Sequence, residues 1–371
     1  MEKNNSDYFT VREVFITKKF TALFLALILT FSLTGCEKPS ASESESEGTQ
    51  IVPIEKREYN YITGEALDGD SSTDRPVAIM VDNSKYALPQ YGIAAADIIY
   101  EMVTEGGITR LMAVYSDLDD VALVGPVRSA RDQFVQFVLP LNAIYVHIGT
   151  SIYANDMLNF YHYQDIDGLY LGVTSFDFDK EREKTYAHEH CWFTKANLIR
   201  DGIAATGINT TGNLYPAFNF ADYKEAPVLL EDGEDAADIS LVYSSYTDVA
   251  FHYNTEDGRY YKDTYGTAHM DAATGQQLSF DNVILLNTTV SLYPDGLCTS
   301  FDLSQGSGYY FYNGKYIPVL WAKGNPEDPL KITDVDGKLI EINVGKSYVG
   351  IFDNSMLETL VITGFAQDAE A

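Results

Sequence analysis

Positive charge is scarce in this sequence. Its 371 residues include 25 lysines and arginines against 54 aspartates and glutamates, which gives a formal net charge of −29 at pH 7. Nucleic acids and anionic membrane surfaces attract proteins through cationic side chains. The composition therefore argues against a nucleic-acid partner and against direct docking on an anionic bilayer. We interpret the acidity as a property that keeps an exposed domain soluble.

Cysteines and long apolar runs are also scarce. The chain has 3 cysteines, and beyond Cys36 only Cys191 and Cys298 remain, either to form one disulfide or to stay as two buried thiols. We favour the thiols, and the sequence leaves both possibilities open. The apolar run that begins at Thr21 has about 12–15 residues, short of the roughly 20 that a membrane-crossing helix needs. We find no other candidate transmembrane segment.

The N-terminus has the order of parts found in a secretory signal. Lys18 and Lys19 precede the apolar run, and Leu-Thr-Gly stands directly before Cys36. Basic residues, an apolar segment and small residues before the cleavage point define such signals, and the cysteine makes this one resemble a bacterial lipoprotein signal. The resemblance implies that residues 1–35 are a signal peptide and that Cys36 carries a lipid. An uncleaved transmembrane anchor is the alternative.

Lipidation at Cys36 would also fix the location of the mature chain. The protein would work on the extracytoplasmic face of the cell membrane, and the lipid would be its contact with the membrane. Residues 36–74 predict a tether between the lipid and the folded body. The serine- and glutamate-rich part at 37–50 has no apolar side chains to bury, so we expect it to be disordered.

The rest of the sequence predicts an α+β fold in two domains. Residues 75–235 combine strand and helix patterns, which predicts a mixed α/β N-terminal domain. An acidic stretch at 230–239 is typical of a linker. Residues 236–371 show short strands separated by turns, which predicts a mostly β C-terminal domain. The 27 tyrosines and 19 phenylalanines favour strands in both.

Two turns give clear hairpin signals. Gly106 and Gly107 lie between two apolar runs rich in β-branched residues, which predicts a pair of antiparallel strands. Asn313 and Gly314 lie between two tyrosine-containing runs, and Asn-Gly is the strongest two-residue hairpin signal. We therefore predict a hairpin at each of these two turns, and a further one at Asp336 and Gly337.

The clearest helix signal follows a glycine–proline pair at 125–126. Pro126 can occupy the first turn of a helix, and Pro140 can end it. Such a helix would place Arg128 and Arg131, three residues apart, on one face. The free N–H groups at its N-terminus would add partial positive charge there.

Three arginines in this acidic chain predict an anion-binding site. Arg110 follows a tight turn, while Arg128 and Arg131 lie at the predicted helix start. Arginine offers a fixed fork of donors that suits carboxylates and phosphates. The same arginines could instead form ion pairs with nearby acidic side chains in a structural network. The sequence leaves both interpretations open.

Other polar residues of the same region could carry acid–base chemistry if their side chains converge. These candidates are Asp82, Asn83, Glu101, Glu105 and His147. A lone histidine within a strand is more often a hydrogen-bonded core residue than a base. Convergence in one pocket would therefore favour an enzyme, and separate partners would not.

We expect no metal site and no cofactor. His188, His190 and Cys191 fall within four residues, and strand alternation would put the two histidines on one face. However, the spacing of zinc proteases is absent, and two ligands do not make a metal site. The roles of His188 and His190 are left open.

Several motifs, in order along the chain, resemble one protein family. They are RPVAIMVDN (75–83), ADIIYE (96–101), EGGITR (105–110) and GPVRSAR (125–131). These segments resemble the YerB-like lipoproteins of Gram-positive bacteria, which consist of a domain of unknown function (number 3048) followed by its own C-terminal domain. The resemblance extends over residues 60–355. It implies an extracytoplasmic lipoprotein with two domains.

The resemblance supplies no reaction, because the family has no settled biochemical activity. The sequence departs from the family pattern at residues 188–191, where the family carries a His-Asn pair. Here neither His188 nor His190 is followed by Asn. The resemblance therefore assigns no role to either histidine.

Together these observations predict a membrane-anchored binding or accessory protein of the cell envelope. Its N-terminal domain would hold an anionic group of a cell-wall component or an envelope protein through Arg110, Arg128 and Arg131. One alternative is an envelope glycan or phosphodiester hydrolase that uses the acidic candidates and His147. The other is a structural spacer whose arginines form ion pairs. Whether the protein is an enzyme is not decided by the sequence.

Overall fold

A computed structural model describes residues 54–67 and 73–365 of the chain. The predicted signal peptide, the lipid site at Cys36 and most of the predicted tether lie outside these residues. Within the described ranges, no helix is both long and apolar enough to span a membrane.

β-strands dominate the described residues. In chain order they are β1 (Val77–Asp82), β2 (Ile98–Val103), β3 (Thr109–Tyr115), β4 (Ile144–His147), β5 (Asp165–Asp167), β6 (Asp177–Phe178), β7 (Trp192–Phe193), β8 (Glu234–Asp235), β9 (Asp238–Ser244), β10 (Thr247–Asn254), β11 (Arg259–Thr264), β12 (Thr267–Ala268), β13 (Ser279–Phe280), β14 (Asn282–Thr288), β15 (Val290–Leu292), β16 (Thr299–Phe301), β17 (Gln305–Tyr312), β18 (Lys315–Ala322), β19 (Lys331–Thr333), β20 (Ser347–Asp353) and β21 (Val361–Thr363).

The α-helices all lie in the first half of the described chain. They are α1 (Asp132–Leu141), α2 (Ile152–Phe160), α3 (Gly168–Leu171) and α4 (Ala196–Thr206). Short 3₁₀ helices occupy Lys85–Ala87, Ile93–Ala95, Glu105–Gly107, Leu118–Asp120, Gly172–Thr174, Arg182–Lys184, His188–His190 and Asn354–Thr359. A mixed first half and a mostly β second half confirm the predicted α+β class.

One large sheet runs through the protein. Its strand order is β19-β18-β17-β14-β20-β2-β3-β1-β4-β5, and β8 pairs with β18 beside this path. β1, β2, β3 and β14 are buried along their whole length, as expected for strands covered on both faces.

Strands from the two halves of the chain meet in the middle of this sheet. β2 pairs in parallel with β20, so that Ile98 lies opposite Ser347 and Met102 lies opposite Ile351. β20 in turn pairs in parallel with β14. The large sheet therefore takes strands from both sides of residue 235, where we predict a domain boundary, and that division stays a prediction.

Different layers cover the two faces of the large sheet. Tyr100 of β2 contacts Phe137 of α1, with 4.8 Å between ring centroids. Tyr348 of β20 pairs with Ile99, so its side chain points to the opposite face from Tyr100. There it contacts Phe251 of β10, also at 4.8 Å.

The layer that supplies Phe251 is a second sheet. Its strand order is β12-β11-β10-β9-β21, and β13 pairs with β11. Buried and exposed residues alternate along β9 and β10, which is the pattern of a sheet with one face in the core. The molecule is thus layered as helices, large sheet and second sheet.

The hairpins predicted at the two clear turns are confirmed. β2 and β3 pair in antiparallel fashion around the glycine turn, and β17 and β18 do so around Asn313 and Gly314. These two residues have φ values of 51° and 75°, the left-handed conformation that a tight two-residue hairpin turn requires.

The predicted helix start at Pro126 is wrong. α1 begins at Asp132, Arg131 is its N-cap residue, and Pro140 lies inside its last turn. Arg128 therefore precedes the helix and does not share a helix face with Arg131.

Backbone hydrogen bonds to neighbouring segments explain why residues 126–130 are not helical. The Arg128 N–H donates to the Met80 carbonyl oxygen at 2.9 Å, and the Ala130 N–H donates to the Gly149 carbonyl oxygen at 2.9 Å. These bonds satisfy the backbone between the strands, so the chain turns into a helix only afterwards.

Candidate functional site

Arg110, Arg131 and Glu105 form a largely buried ion-pair group. The Arg131 guanidinium contacts both oxygens of the Glu105 carboxylate, with Nε–Oε1 at 2.5 Å and Nη2–Oε2 at 2.8 Å. Arg110 is 4% exposed, and its Nη1 donates to the Ser129 carbonyl oxygen at 2.7 Å. Its Nη2 lies 3.8 Å from Oε2 of Glu105. Both arginines are thus held by partners of their own chain.

Burial and neighbouring charges set the pKa values in this group. Burial, and then the positive charge of Arg131, lowers the pKa of Arg110 to about 9. Burial opposes ionisation of Glu105, but the hydrogen bond and charge of Arg131 outweigh it and lower the pKa of the carboxyl group. Glu105 is therefore ionised at neutral pH, and its carboxylate is already occupied.

Glu101 belongs to a second polar group, which lies between the two sheets and which we call the closed network. Its members are Asn83, Gln90, Glu101, Thr109, Lys262, His269 and Tyr348. Oε1 of Glu101 accepts from the Asn83 amide at 2.9 Å and from the Thr109 hydroxyl at 2.7 Å. Oε2 accepts from the Tyr348 hydroxyl at 2.8 Å and lies 3.2 Å from the Lys262 ammonium nitrogen.

Donor and acceptor roles can be assigned to every hydrogen bond between Asn83, Gln90, His269 and Lys262 without conflict. The Gln90 amide nitrogen donates to Oδ1 of Asn83 and to the Asp82 carbonyl oxygen, both at 2.8 Å. Its oxygen is then free to accept from Nε2 of His269 at 2.8 Å, so Nδ1 of that histidine accepts from Lys262 at 3.0 Å. Burial, followed by the charge of Lys262, holds the pKa of His269 well below its ordinary value. His269 is therefore neutral.

The closed network has no position left for a ligand. Glu101 and Lys262 are both 0% exposed. Burial lowers the pKa of Lys262, against the opposing charge of Glu101. Since Glu101 lies on β2 and Lys262 on β11, their contact joins the large sheet to the second sheet. We interpret the network as structural.

His147 is buried away from the other acid–base candidates. It is 0% exposed, with Nε2 2.8 Å from the Asp165 carboxylate and Nδ1 3.0 Å from the Gly149 carbonyl oxygen. Glu101 and Glu105 have the separate partners described above. The acid–base residues named from the sequence are therefore not brought together around one pocket.

Asp82, Arg128 and His190 form a third group, which we call the open cluster. Oδ2 of Asp82 contacts Nδ1 of His190 at 2.9 Å and Nε of Arg128 at 3.2 Å. Oδ1 accepts from the backbone N–H of Ser84 at 2.9 Å. Burial opposes ionisation of Asp82, but the hydrogen bond from His190 and the charge of Arg128 outweigh it and lower the pKa of the carboxyl group.

Strand geometry explains why Asp82 and Asn83 join different groups. Successive residues of an extended chain point to opposite faces of a sheet. Asp82 pairs with Arg110 across β1 and β3 and faces the arginines, whereas Asn83 faces the second sheet and Glu101.

Two clefts flank the open cluster. The first, of about 260 Å³, is lined by Val127, Arg128, Ile148, Gly168, Leu169, His188, Glu189 and Trp192. The second, of about 620 Å³, is lined by Lys85, Tyr86, Leu88, Thr185, Tyr186, Ala187 and His190. A further cleft of about 610 Å³ at one end of β14, β17 and β18 contains none of the residues predicted from the sequence.

The structure separates the two histidines whose roles the sequence leaves open. They lie in a 3₁₀ turn and not in a strand, so the expected shared face is absent. His188 is exposed and contacts the Glu183 carboxylate at 3.0 Å. His190 instead reaches Asp82, which lies 108 positions earlier. No local signal reports a contact between segments so far apart, and this is why sequence reasoning missed His190.

The described residues hold no group of three or more side chains suited to a metal ion. Cys191 and Cys298 are two separate, buried thiols, which is one of the two alternatives open from the sequence.

Comparisons with known proteins identify the family. "Protein of unknown function (DUF3048) N-terminal domain" matches residues 62–209, and the corresponding C-terminal domain matches residues 239–349. The chain is 26% identical over 344 residues to the "Putative lipoprotein YerB" of Bacillus subtilis (strain 168), across 90% of this chain and 95% of that protein. The crystal structure of the Bacillus subtilis YerB protein has a TM-score of 0.72 at 24% identity, and the match covers 83% of this chain and 100% of that one. The chain therefore belongs to the DUF3048 family, with both of its domains present.

Proposed function

We propose that this protein is a lipoprotein, held by a lipid on Cys36 to the extracytoplasmic face of the cell membrane, that binds a cell-wall component or an envelope protein. The cysteine after the signal-like N-terminus supports the anchor. The name of the Bacillus subtilis relative also supports a lipoprotein. The ligand or partner presents an anionic group to Arg128.

The exposure of Arg128 is the observation that carries the binding site. Arg131 uses its donors on the Glu105 carboxylate and the Ala130 carbonyl oxygen, and Arg110 is 4% exposed and bonds the Ser129 carbonyl oxygen. The Arg128 side chain is 24% exposed, and beyond Asp82 its contact is a long one of 3.5 Å to the Glu189 carbonyl oxygen. Its guanidinium therefore keeps donors for a ligand.

The surroundings of Arg128 indicate the kind of ligand. The cleft beside it has a mostly apolar wall, so the site suits an anionic group attached to an apolar or aromatic body. Three guanidiniums stand against the two carboxylates of Asp82 and Glu105. Glu189 adds a third carboxylate beside the cleft, so the selectivity rests on the fork of donors on Arg128, which suits a carboxylate or phosphate.

Calorimetry with purified peptidoglycan and wall fragments tests this proposal. The full-length, lipid-processed protein is compared in detergent with its Arg128→Ala variant. We expect the variant to fold normally and to bind at least about 10-fold more weakly, because one charge-assisted hydrogen bond is lost. Arg200→Ala is the matched control, since Arg200 is an exposed arginine paired with Asp119.

Two results would count against the proposal. Equal binding by wild type and Arg128→Ala would remove the arginine from the site. Absence of binding to every wall fragment, together with blank pull-downs from envelope extracts, would leave the structural-spacer alternative, which the ion pairs of Arg110 and Arg131 already suit.

A further inference from the structure

The open cluster contains an imidazole nitrogen with no hydrogen-bond partner. Nδ1 of His190 contacts the Asp82 carboxylate, and none of the described residues bonds its Nε2. Because the ionised carboxylate can only accept, Nδ1 carries the proton of the neutral ring and Nε2 carries a lone pair. His190 lines the cleft of about 620 Å³.

The walls of this cleft are fixed to each other by Arg182. This arginine is 8% exposed. Its Nη2 donates to the Ala87 carbonyl oxygen at 2.5 Å, and its Nε donates to the His190 carbonyl oxygen at 2.9 Å. Its guanidinium also lies over the Tyr186 ring, 4.0 Å from the centroid. Arg182 thus holds the segment around Ala87, on one side of the cleft, at a fixed distance from the segment that carries His190.

Asp82 is suited to orienting His190. It is 2% exposed, and the Ser84 N–H and the Arg128 guanidinium hold its two oxygens in place. Its lowered pKa keeps it ionised at neutral pH. A buried carboxylate on Nδ1 fixes the tautomer and direction of an imidazole, and this is how general bases are prepared in many hydrolases.

We propose that the protein hydrolyses a carboxylic ester in this cleft, with His190 as the general base that activates water and Asp82 as the residue that positions it. This activity goes beyond anion binding at Arg128 and takes place in the other cleft. Lys85, which lines the cleft and is exposed, supplies positive charge for the developing oxyanion.

The steps balance with water as the only co-reactant. Nε2 of His190 takes a proton from water while the water oxygen bonds to the ester carbonyl carbon, and the carbonyl π electrons move to oxygen. When the carbonyl re-forms, the bond from carbon to the alcohol oxygen breaks. The imidazolium then returns its proton to the leaving alkoxide. The products are a carboxylic acid and an alcohol.

The charge of the cleft favours an ester over a phosphodiester. Phosphoryl transfer spreads negative charge over several oxygens, which enzymes usually neutralise with more than one cation. Among the described residues that line this cleft, Lys85 is the one lysine or arginine, and Arg128 lines the other cleft. Tyr86 and Tyr186 add aromatic surface for the acyl or alcohol part.

Hydrolysis of p-nitrophenyl butyrate by the full-length, lipid-processed protein tests the proposal. We expect His190→Ala and Asp82→Asn to lower kcat/KM by about 100-fold or more. His252→Ala is the matched control, because His252 is a half-exposed histidine whose Nδ1 contacts Asp238 at 2.6 Å on the second sheet. Its rate should equal that of wild type.

A spectroscopic measurement makes the test independent of whether the variants fold. Nitrogen NMR of histidine-labelled wild type should show His190 with its proton on Nδ1 at mildly alkaline pH. A proton on Nε2 would overturn the proposal. So would a wild-type rate equal to the buffer rate, or an unchanged rate in His190→Ala. Turnover of bis(p-nitrophenyl) phosphate without turnover of the ester would overturn the substrate class.

Discussion

The closed network contains Asn83 and the open cluster contains the adjacent Asp82, yet the two groups differ in exposure and in how completely their side chains are hydrogen-bonded. Asn83 leads into the network, where Glu101 and Lys262 are fully buried and each oxygen of the Glu101 carboxylate has partners. Asp82 leads into the cluster, where His190 keeps a bare nitrogen and Arg128 is partly exposed. Charged and polar side chains therefore join the two sheets on one face and leave a partly exposed cluster on the other.

This difference shows how structural polar residues can be distinguished from available ones within a single motif, here the adjacent pair Asp82 and Asn83. The carboxylates of Glu101 and Asp82 are both buried, at 0% and 2% exposure, so the burial of the carboxylate alone does not separate the two groups. What separates them is unused hydrogen-bonding capacity directed at a cleft. A satisfied buried network mainly specifies the packing, whereas a residual donor or lone pair is available for binding or catalysis.

The largest effect should come from opening the closed network. Lys262→Met removes the cation beside Glu101 and leaves a buried carboxylate without its counter-charge. We expect the free energy of unfolding to fall by about 3–5 kcal/mol, measured by urea denaturation. Lys184→Ala is the control, because Lys184 is exposed and pairs with Glu181 on the surface, where an ion pair contributes little. Equal stability of both variants would show that the network is not a joint.

A smaller effect should separate the two arginines. Arg131→Met breaks the two-point contact with Glu105, and we expect a loss of about 1.5–3 kcal/mol. Arg128→Met removes one ion pair with Asp82 and one long contact to the Glu189 carbonyl oxygen from a partly exposed side chain, so its cost should be below about 1 kcal/mol. Thermal and urea unfolding of the pair measure this. The reverse order would mean that Arg128 is the structural arginine and Arg131 the available one.

The smallest effect is a pH dependence of the open cluster. The pKa of Asp82 is lower in the folded state than its ordinary value of 3.8. Its contribution to stability is therefore complete above about pH 4 and is lost as the pH falls through the lowered pKa. Asp82→Asn should flatten the fall in unfolding free energy in that acid range, measured by urea denaturation at a series of pH values. Glu181→Gln, an exposed control, should leave the slope unchanged.

Local signals predicted much of the fold. Asn313 and Gly314 predicted their hairpin correctly because a two-residue turn depends on its own residues. The helix start predicted at Pro126 is wrong, because a proline that can start a helix can equally precede an extended segment. The extended conformation is instead stabilised by hydrogen bonds to the carbonyl oxygens of Met80 and Gly149, which are distant in sequence and carry no local signal.

The candidate site was predicted only in part for the same reason. The sequence named Asp82 and Arg128, which the open cluster contains, and it also named Glu101 and His147, whose partners lie elsewhere. His190 was left without a role because its contact with Asp82 depends on the path of the chain between them. Residue types indicate what chemistry is available, and the fold decides which residues share it.

The central position of β20 bears on how the chain must be synthesised. A polypeptide grows from its N-terminus, yet β2 receives one of its two neighbours only when residues 347–353 have been made. Until then one edge of β2 and one edge of β14 stay unpaired, and unpaired strand edges can pair with other chains. A prematurely terminated or clipped product that lacks β20 should therefore aggregate or be degraded. Only a chain that extends through β20 can complete the large sheet.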